Sequence, residues 1–366
     1  MSNPRISRRR LAQAASLLFV TLAGAASAAI PNLVADETMS AVETATPESL
    51  CGSDDSHALA DAPQNLCSSG AASALSGNGP WSWTCNDGQR ETQCSANPAA
   101  SYTFRTLDYP GTSWTKFWGI NDFGDLGGEY RVDGSPIHAM TYHRGRFDSL
   151  DPDGLFGNRG SASGGPNDLG ALFGFYTDDS KHQHGYLLQW GHVETVDFPG
   201  HLNSNVDDVN IFGAIAGVYW DANGIQHGVL RRYGHDTPID YPGSLGTYPL
   251  GIDNSGAIVG MWYTDPRTTH GFYRNPNGRY SAIDVPIAGP GGTVAIGIND
   301  ADQIVGYYMD AAHHYHGFIQ TRGKIDYLDV PDAVQTFPTH INNFGVIVGY
   351  YIDSANHNHG FVATPW

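Results

Sequence analysis

From residue 101 to the C-terminus, apolar residues arrive in short runs that are apolar on both sides of an extended chain. In "QIVGYYM", Ile304, Gly306 and Tyr308 face one way while Val305 and Tyr307 face the other. A strand apolar on both faces has to be covered on both. Three further runs surround it, "TVAIGIN", "HGFIQT" and "KIDYLD", so each stretch of about 45 residues predicts four strands. The connectors "INDFGD" and "IDNSGA" place Asn or Asp just ahead of a Gly, the chemistry of a tight hairpin in which Gly or Asn takes positive φ.

The unit is repeated six times. An Asp ends an apolar stretch at Asp108, Asp151, Asp197, Asp240, Asp284 and Asp329, at spacings of 43, 46, 43, 44 and 45. A turn residue follows in each unit (Asn121, Asn167, Asn210, Asp253, Asn299, Asn342), then a Gly seven residues on (Gly128, Gly174, Gly217, Gly260, Gly306, Gly349). Ten residues beyond that Gly stands a His: His138, His184, His227, His270, His316 and His359. The intervals of seven and ten never vary, so length variation falls mainly in the loop ahead of the turn residue, with one further residue between His270 and Asp284. Four-stranded units of this length, each sandwiched between neighbours, predict an all-β fold, a six-bladed β-propeller. The ends are complementary: the last unit stops at Trp366 before a fourth strand, while "YTFRTL" ahead of Asp108 is a surplus strand. The N-terminal strand is therefore expected to complete the last blade and close the ring, which an open solenoid would not require.

The repeated "GINDADQIVGYYMD....HGF" and "DYPGS" pieces resemble the HAF repeat, a motif of probable extracellular proteins, over about 260 residues. The first unit departs from it with His138-Ala139 and the second with Pro166-Asn167. The resemblance implies secretion and a repeat fold and supplies no catalytic motif.

The chain begins with a basic stretch ending at Arg10, an apolar run, and Ala26-Ser27-Ala28, the form of a signal peptide over residues 1–28. Ser7-Arg8-Arg9 has part of a twin-arginine pattern, but Leu11-Ala12 fits general secretion better. Without the four Arg of that segment the balance is 15 basic against 37 acidic residues, or −22, which repels phosphate backbones and anionic lipid. No nucleic-acid partner is expected, and no transmembrane segment in the mature chain. Residues 29–50 read as a linker. Residues 51–97 hold all four cysteines in a stretch too poor in aliphatics for a core of its own, so two disulfides are expected there in an oxidising, extracellular or periplasmic setting. Spacing does not fix the pairing; Cys67 with Cys85 and Cys51 with Cys94 is the favoured arrangement. The pieces "LCSSG" and "GPWSWTC" are similar to a small Cys-bearing module of bacterial secreted proteins. Trp81 and Trp83 could form a stacking surface, but core packing beside a disulfide is the simpler reading. The propeller is assigned to residues 101–366.

The candidate chemistry is sparse. HExxH, GxSxG, CxxC and a phosphate-cradling Gly loop are all missing, so no catalytic residue and no cofactor is assigned. A base is needed once per site, whereas six equally spaced His suit a contact that every blade makes. HxH pairs at His182/His184, His314/His316 and His357/His359, with Asp178, Asp310 and Asp353 nearby, are the metal candidates. Because a single site must be asymmetric, departures from the repeat matter more: Trp114, Phe117, Trp118, Arg131, Trp220, Trp262 and the pair Arg231-Arg232, of which Trp114, Trp118, Arg131, Trp220 and Trp262 are the ligand-binding candidates. The expectation is a secreted, non-catalytic binding module for a glycan or protein. The rival is a carbohydrate-active hydrolase or lyase using acidic rim residues. The face carrying the long loops, or the channel mouth, is the expected place for a site.

Overall fold

The structure, a computed structural model, describes residues 50–51, 58–59, 63–76, 81–98, 102–132, 134–150, 161–198, 203–265, 267–289 and 291–365. The proposed signal peptide and nearly all of the linker lie outside the described residues. Every regular element among them is a β-strand, and the strands form seven four-stranded sheets in two separate units.

Six sheets make the large unit, each an antiparallel meander. Blade 1 runs Thr115–Ile120, Leu126–Tyr130, His138–His143, Arg146–Ser149, and blade 2 runs Ser161–Pro166, Leu172–Thr177, Gln183–Gln189, His192–Val196. Blade 3 comprises Ser204–Val209, Ile215–Trp220, Gln226–Arg232 and His235–Pro238; blade 4 comprises Gly246–Ile252, Ile258–Asp265, Thr268–Arg274 and Tyr280–Ile283. Blade 5 is Thr293–Ile298, Gln303–Met309, Tyr315–Thr321 and Lys324–Tyr327. Blade 6 has only Gln335–Ile341, Ile347–Ile352 and Asn358–Pro365 of its own and takes Tyr102–Thr106 as its fourth strand, in a register that runs from Phe361 opposite Thr106 to Pro365 opposite Tyr102. The second strand of each blade packs on the inner strand of the next, and that of blade 6 packs on the inner strand of blade 1, so the ring is closed.

The repeated Gly is a requirement of this geometry. It sits in the second strand opposite the inner strand, and a Cβ at any of the six positions would lie 2.0 to 2.5 Å from an inner-strand carbonyl oxygen, such as that of Val294 for Gly306. Every inner strand also carries a β-bulge at one common place, between Phe117 and Gly119, Ser163 and Gly165, Val206 and Asp208, Pro249 and Gly251, Ala295 and Gly297, and Pro338 and His340. A bulge increases local twist, which is what lets flat sheets fan around an axis. Between blades the space is filled by aromatic rings, among them the wholly buried Phe117, Phe272, Phe318, Phe337 and Phe361.

The small unit is a sheet in the order Ala58–Leu59, Glu91–Pro98, Trp81–Asn86, Ala71–Ala72. Disulfides Cys51–Cys94 and Cys67–Cys85 cross it, the favoured pairing. Leu50, Trp83 and the buried cysteines form its core with Leu66 packed alongside, so Trp83 is a core residue. Cross-links supply here what so small an apolar core does not, typically about 2–4 kcal/mol each.

Deleting Tyr102–Leu107 uncovers the third strand of blade 6 and removes the link between the chain's ends. The thermal midpoint of the propeller is expected to fall by more than about 10 °C, as a loss of several kcal/mol implies; calorimetry showing an unchanged transition would contradict closure.

Candidate ligand-binding site

Five of the six repeated His are clasps between a strand and an Asp. Nδ1 of His184, His227, His270 and His316 lies 2.8 to 3.0 Å from the carboxylate of the Asp ending the same unit, Asp197, Asp240, Asp284 and Asp329. His359 reaches instead to Asp108, at the start of the repeat region, 2.8 Å away. The carboxylate's second oxygen accepts the next backbone N–H, that of Gly228, Gly317 and Gly360. Each imidazole also stacks on the aromatic ring opposite it, from Tyr130 on His138 to Tyr351 on His359, with Trp262 serving for His270. The Asp151 expected to serve His138 lies outside the described residues. Burial works against a charge on His316, yet its hydrogen bonds to Asp310 and Asp329 prevail and hold its pKa up at about 9. With both carboxylates fixed on scaffold groups, these rings are not poised as general bases.

The repeated turn residues form a second ring. Asn121, Asn167, Asn210, Asn299 and Asn342 each accept two backbone N–H groups of their own turn. Each also donates its amide to the carbonyl of the next blade's turn residue, at 2.9 to 3.4 Å, the last link running from Asn342 to Asn121. Asp253 has no N–H to give, so the ring is broken between blades 4 and 5, and burial pushes its carboxyl up.

Three of the ligand-binding candidates come together around a buried pair, Trp114 buried, Trp118 half-buried and Arg131 exposed. Lys116 and Glu129 face each other across the first strand pair of blade 1 and are 4% and 1% exposed. Burial lowers the lysine's pKa and raises the glutamate's. The ammonium sits over Tyr350 at 4.1 Å and Trp114 at 4.8 Å, Arg131 lies 5.3 Å from the same indole, and Trp118 meets Tyr350 edge-on. Trp114, Trp118 and Arg131 thus wall a buried charge pair at the seam between blades 6 and 1. Trp262 is stacked between Tyr241 and His270, and Trp220 meets Tyr248 edge-on. Of the five, Arg131 alone is exposed; the four indoles are buried or half-buried.

The central channel is also asymmetric. The residue after the bulge is Gly in four blades, but Asp208 in blade 3 and His340 in blade 6, and these meet across the axis with Nε2 to Oδ2 at 3.7 Å. The remaining cavity, about 60 Å³, is lined by all six blades and holds a few waters at most. At its mouth Asp122, Asn254, Asp300 and Asn343 bond to one another and to neighbouring backbone N–H groups, so their polar atoms are already used. Beside Asp208, in the bulge itself, Asp207 accepts from Asn205 Nδ2 at 2.7 Å, while Asp207 Oδ2 and Asn205 Oδ1 are enclosed without a partner. Burial, opposed by a hydrogen bond from Tyr248 and aided by the charge of Asp208, raises Asp207 well above 3.8.

The exposed aromatics lie elsewhere, on the face of the short turns. The turn of the first hairpin presents Phe344, Phe123, Leu169 and Phe212 on the consecutive blades 6, 1, 2 and 3, all 60 to 76% exposed, while blades 4 and 5 carry Ser255 and Ala301 there. The second hairpin presents Trp190 and Tyr233, 85 and 90% exposed. Both occupy a positive-φ position ahead of a positive-φ Gly, where Asn or Gly is the favoured residue. Between Phe212 and Tyr233 opens a cavity of about 210 Å³ lined further by Arg232, Asn210, Asn254, Ser255 and Ala214. Its rings are out in water, its guanidinium reaches only a marginal 3.4 Å contact with the Gly256 carbonyl, and its volume suits one sugar ring rather than a drug-sized ligand. The sequence reading singled out Arg232 and missed the rest. Aromatics in "RRYGHD" and "QWGHVE", where a hairpin calls for Asn-Gly, were the available signal.

No known protein-family profile matches the chain. No curated protein matches it either. Among solved structures it is similar to a triple arginine mutant of AofleA from Arthrobotrys oligospora (13% identity, 73% of this chain and 87% of that one, TM-score 0.48). It is also similar to a lectin of Aleuria aurantia in complex with Fucα1-6GlcNAc (9%, 69% and 88%, 0.41) and to the BP39L lectin of Burkholderia pseudomallei (10%, 78% and 89%, 0.40).

Two substitutions check these assignments. Asp253→Asn supplies the missing donor to the Asn299 carbonyl and is expected to stabilise the propeller by about 1 kcal/mol, read as a higher urea midpoint. Asp207 holds in the folded state a proton that the unfolded chain gives up above about pH 4, so its contribution to stability declines as pH rises. Asp207→Asn can pair amide to amide with Asn205; it should exceed wild type in thermal midpoint at pH 8, with the gap closing toward pH 4.

Proposed function

We propose that the protein is a secreted bacterial binding module of the HAF-repeat type that recognises a neutral glycan without catalysis, through the cavity between blades 3 and 4 on the short-turn face. One observation carries this: Tyr233 and Phe212 stand exposed on either side of an open cavity that also presents the Arg232 guanidinium. Tyr233 is costly where it is, at positive φ, and Phe212 stands in water beside it. An L-residue other than Asn or Gly in the left-handed region costs roughly 1–2 kcal/mol, and exposed rings add nothing to the core. Their faces, with a cation and amides between them, offer an apolar platform plus polar donors, the combination that orients a small amphipathic ligand. The acidic balance of the whole chain disfavours polyanions. Two disulfides suit an oxidising compartment, and among the described residues no helix is long and apolar enough to cross a membrane.

Purified protein is screened against immobilised neutral and acidic oligosaccharides, with new reducing ends measured in parallel. Binding without turnover is expected, weakened about tenfold in Tyr233→Asn and in Phe212→Ser, which is about 1.4 kcal/mol. The Tyr233→Asn protein should keep or exceed the wild-type thermal midpoint, since Asn suits the turn better. Unaltered binding in both variants removes this site, and release of reducing ends makes the protein a hydrolase.

A further inference from the structure

On the opposite face, the loop between the second and third strands of blade 6 brings together Asp353, His357 and His359, whose ligand atoms all lie within 4.8 Å of one another. We propose that these three side chains bind a divalent transition-metal ion of the zinc class. Asp108 lies 2.8 Å from Nδ1 of His359; with the Nδ1 proton directed to Asp108, Nε2 is the ligand atom on the loop side, and a metal there displaces any proton it shares with Asp353. A carboxylate behind a histidine is the usual outer support of a metal-bound imidazole. Nε2 lies 3.3 Å from Asp353 Oδ2, and His357 Nδ1 lies 3.5 Å from that same oxygen. Tetrahedral bonds of about 2.0–2.1 Å place neighbouring donors about 3.4 Å apart, so both separations already fit. The third closes by a small turn of His357, which is 49% exposed and free to move.

The loop holds the carboxylate ready. Asp353 Oδ1 accepts the backbone N–H groups of Ala355 and His357, which leaves Oδ2 directed at the two rings. The scaffold does not need His357: the equivalent residue is Pro136, Ile225 and Thr268 in blades 1, 3 and 4. Where the position is His, in blades 2 and 5, an Asp again stands four residues earlier, with Asp178 3.8 and 3.5 Å from His182 and His184, and Asp310 3.9 and 3.4 Å from His314 and His316. Blade 3 keeps the turn aspartate, Asp221, with Ile225 in place of the middle histidine; the turn therefore accounts for the carboxylate, and the added histidine is what completes a set of three in blades 2, 5 and 6. Two imidazoles and one carboxylate favour Zn²⁺, Ni²⁺ or Cu²⁺ over Mg²⁺ or Ca²⁺, which prefer oxygen-only shells. Exposure on the rim leaves the fourth position to solvent or to a group from outside.

The test is calorimetric titration of tag-free, chelator-stripped full-length protein with Zn²⁺ alone, alongside His357→Ala and Asp353→Asn. Saturable uptake is expected, and each variant should lose one equivalent or at least tenfold in affinity at that site. Two or three equivalents in wild type that fall by one in His357→Ala support the proposal equally. Because the His357 side chain is half exposed and meets only Asp353 and the edge of His359, its variant should keep the wild-type thermal midpoint without metal to within about 2 °C. Absence of saturable uptake, or identical uptake in wild type and His357→Ala, overturns the assignment. The glycan screen is independent of both outcomes, since the two sites lie on opposite faces.

Discussion

Each sheet of the large unit is apolar on both sides, and from that constraint the rest of the architecture follows. A sheet with two such faces exposes one of them wherever a row of sheets ends, at a cost of roughly 25 cal/mol for every Å² left in water. Six copies avoid the cost by having no end. The bulge in every inner strand supplies the twist that bends the row into a ring, and the strand Tyr102–Thr106 makes the last blade whole. The seam is held by more than strand pairing: Asp108 accepts from His359 and from the Gly360 backbone, joining positions 251 and 252 residues apart.

Closure also explains the polar residues that recur. Turns and blade-to-blade crossings bury backbone N–H and C=O groups that no ladder satisfies, and a buried unpaired group costs about 1–3 kcal/mol. The repeated Asn serves two such N–H groups and one carbonyl of the neighbouring blade, and the repeated His ties the third strand of a blade to the loop that leaves it. Residues used this way keep few free atoms, and Nε2 of a repeated His becomes available for chemistry only where a loop brings a second His beside it, as at His359. Asymmetry, and with it any single binding site, resides in the departures.

Those departures divide by solvent. Lys116 with Glu129, Asp208 with His340, and Asp207 with Asn205 lie inside the ring and face one another or neighbouring rings, with Asp207 Oδ2 and Asn205 Oδ1 left unpartnered. Phe212, Tyr233, Trp190 and Phe344 are in water and answered by nothing in the blade that carries them. Tyr233 and Trp190 moreover stand at positive φ, where Asn or Gly suits the turn better.

Fold class, blade number and the borrowed strand were all legible in one dimension. Two-sided apolar runs, an invariant Asn-to-Gly-to-His spacing and complementary ends are local or periodic properties, and a ring of identical contacts repeats them faithfully. Even the channel's asymmetry was readable, since the position two before each turn residue is Gly in four units but Asp208 and His340 in the others. The fate of Trp114, Trp118 and Arg131 was not. Whether a ring faces water or the next blade depends on residues such as Lys116, Glu129 and Tyr350, brought from a distant strand, and strand periodicity is silent when both faces are apolar. The cavity at Tyr233 joins two turns of blade 3 to one of blade 4, and the acidic-histidine set of blade 6 is completed by Asp108 from the far end of the repeats. Sequence determines what each blade needs from its neighbours; only folding decides which side chains meet across them, because those distances arise between strands and not along the chain.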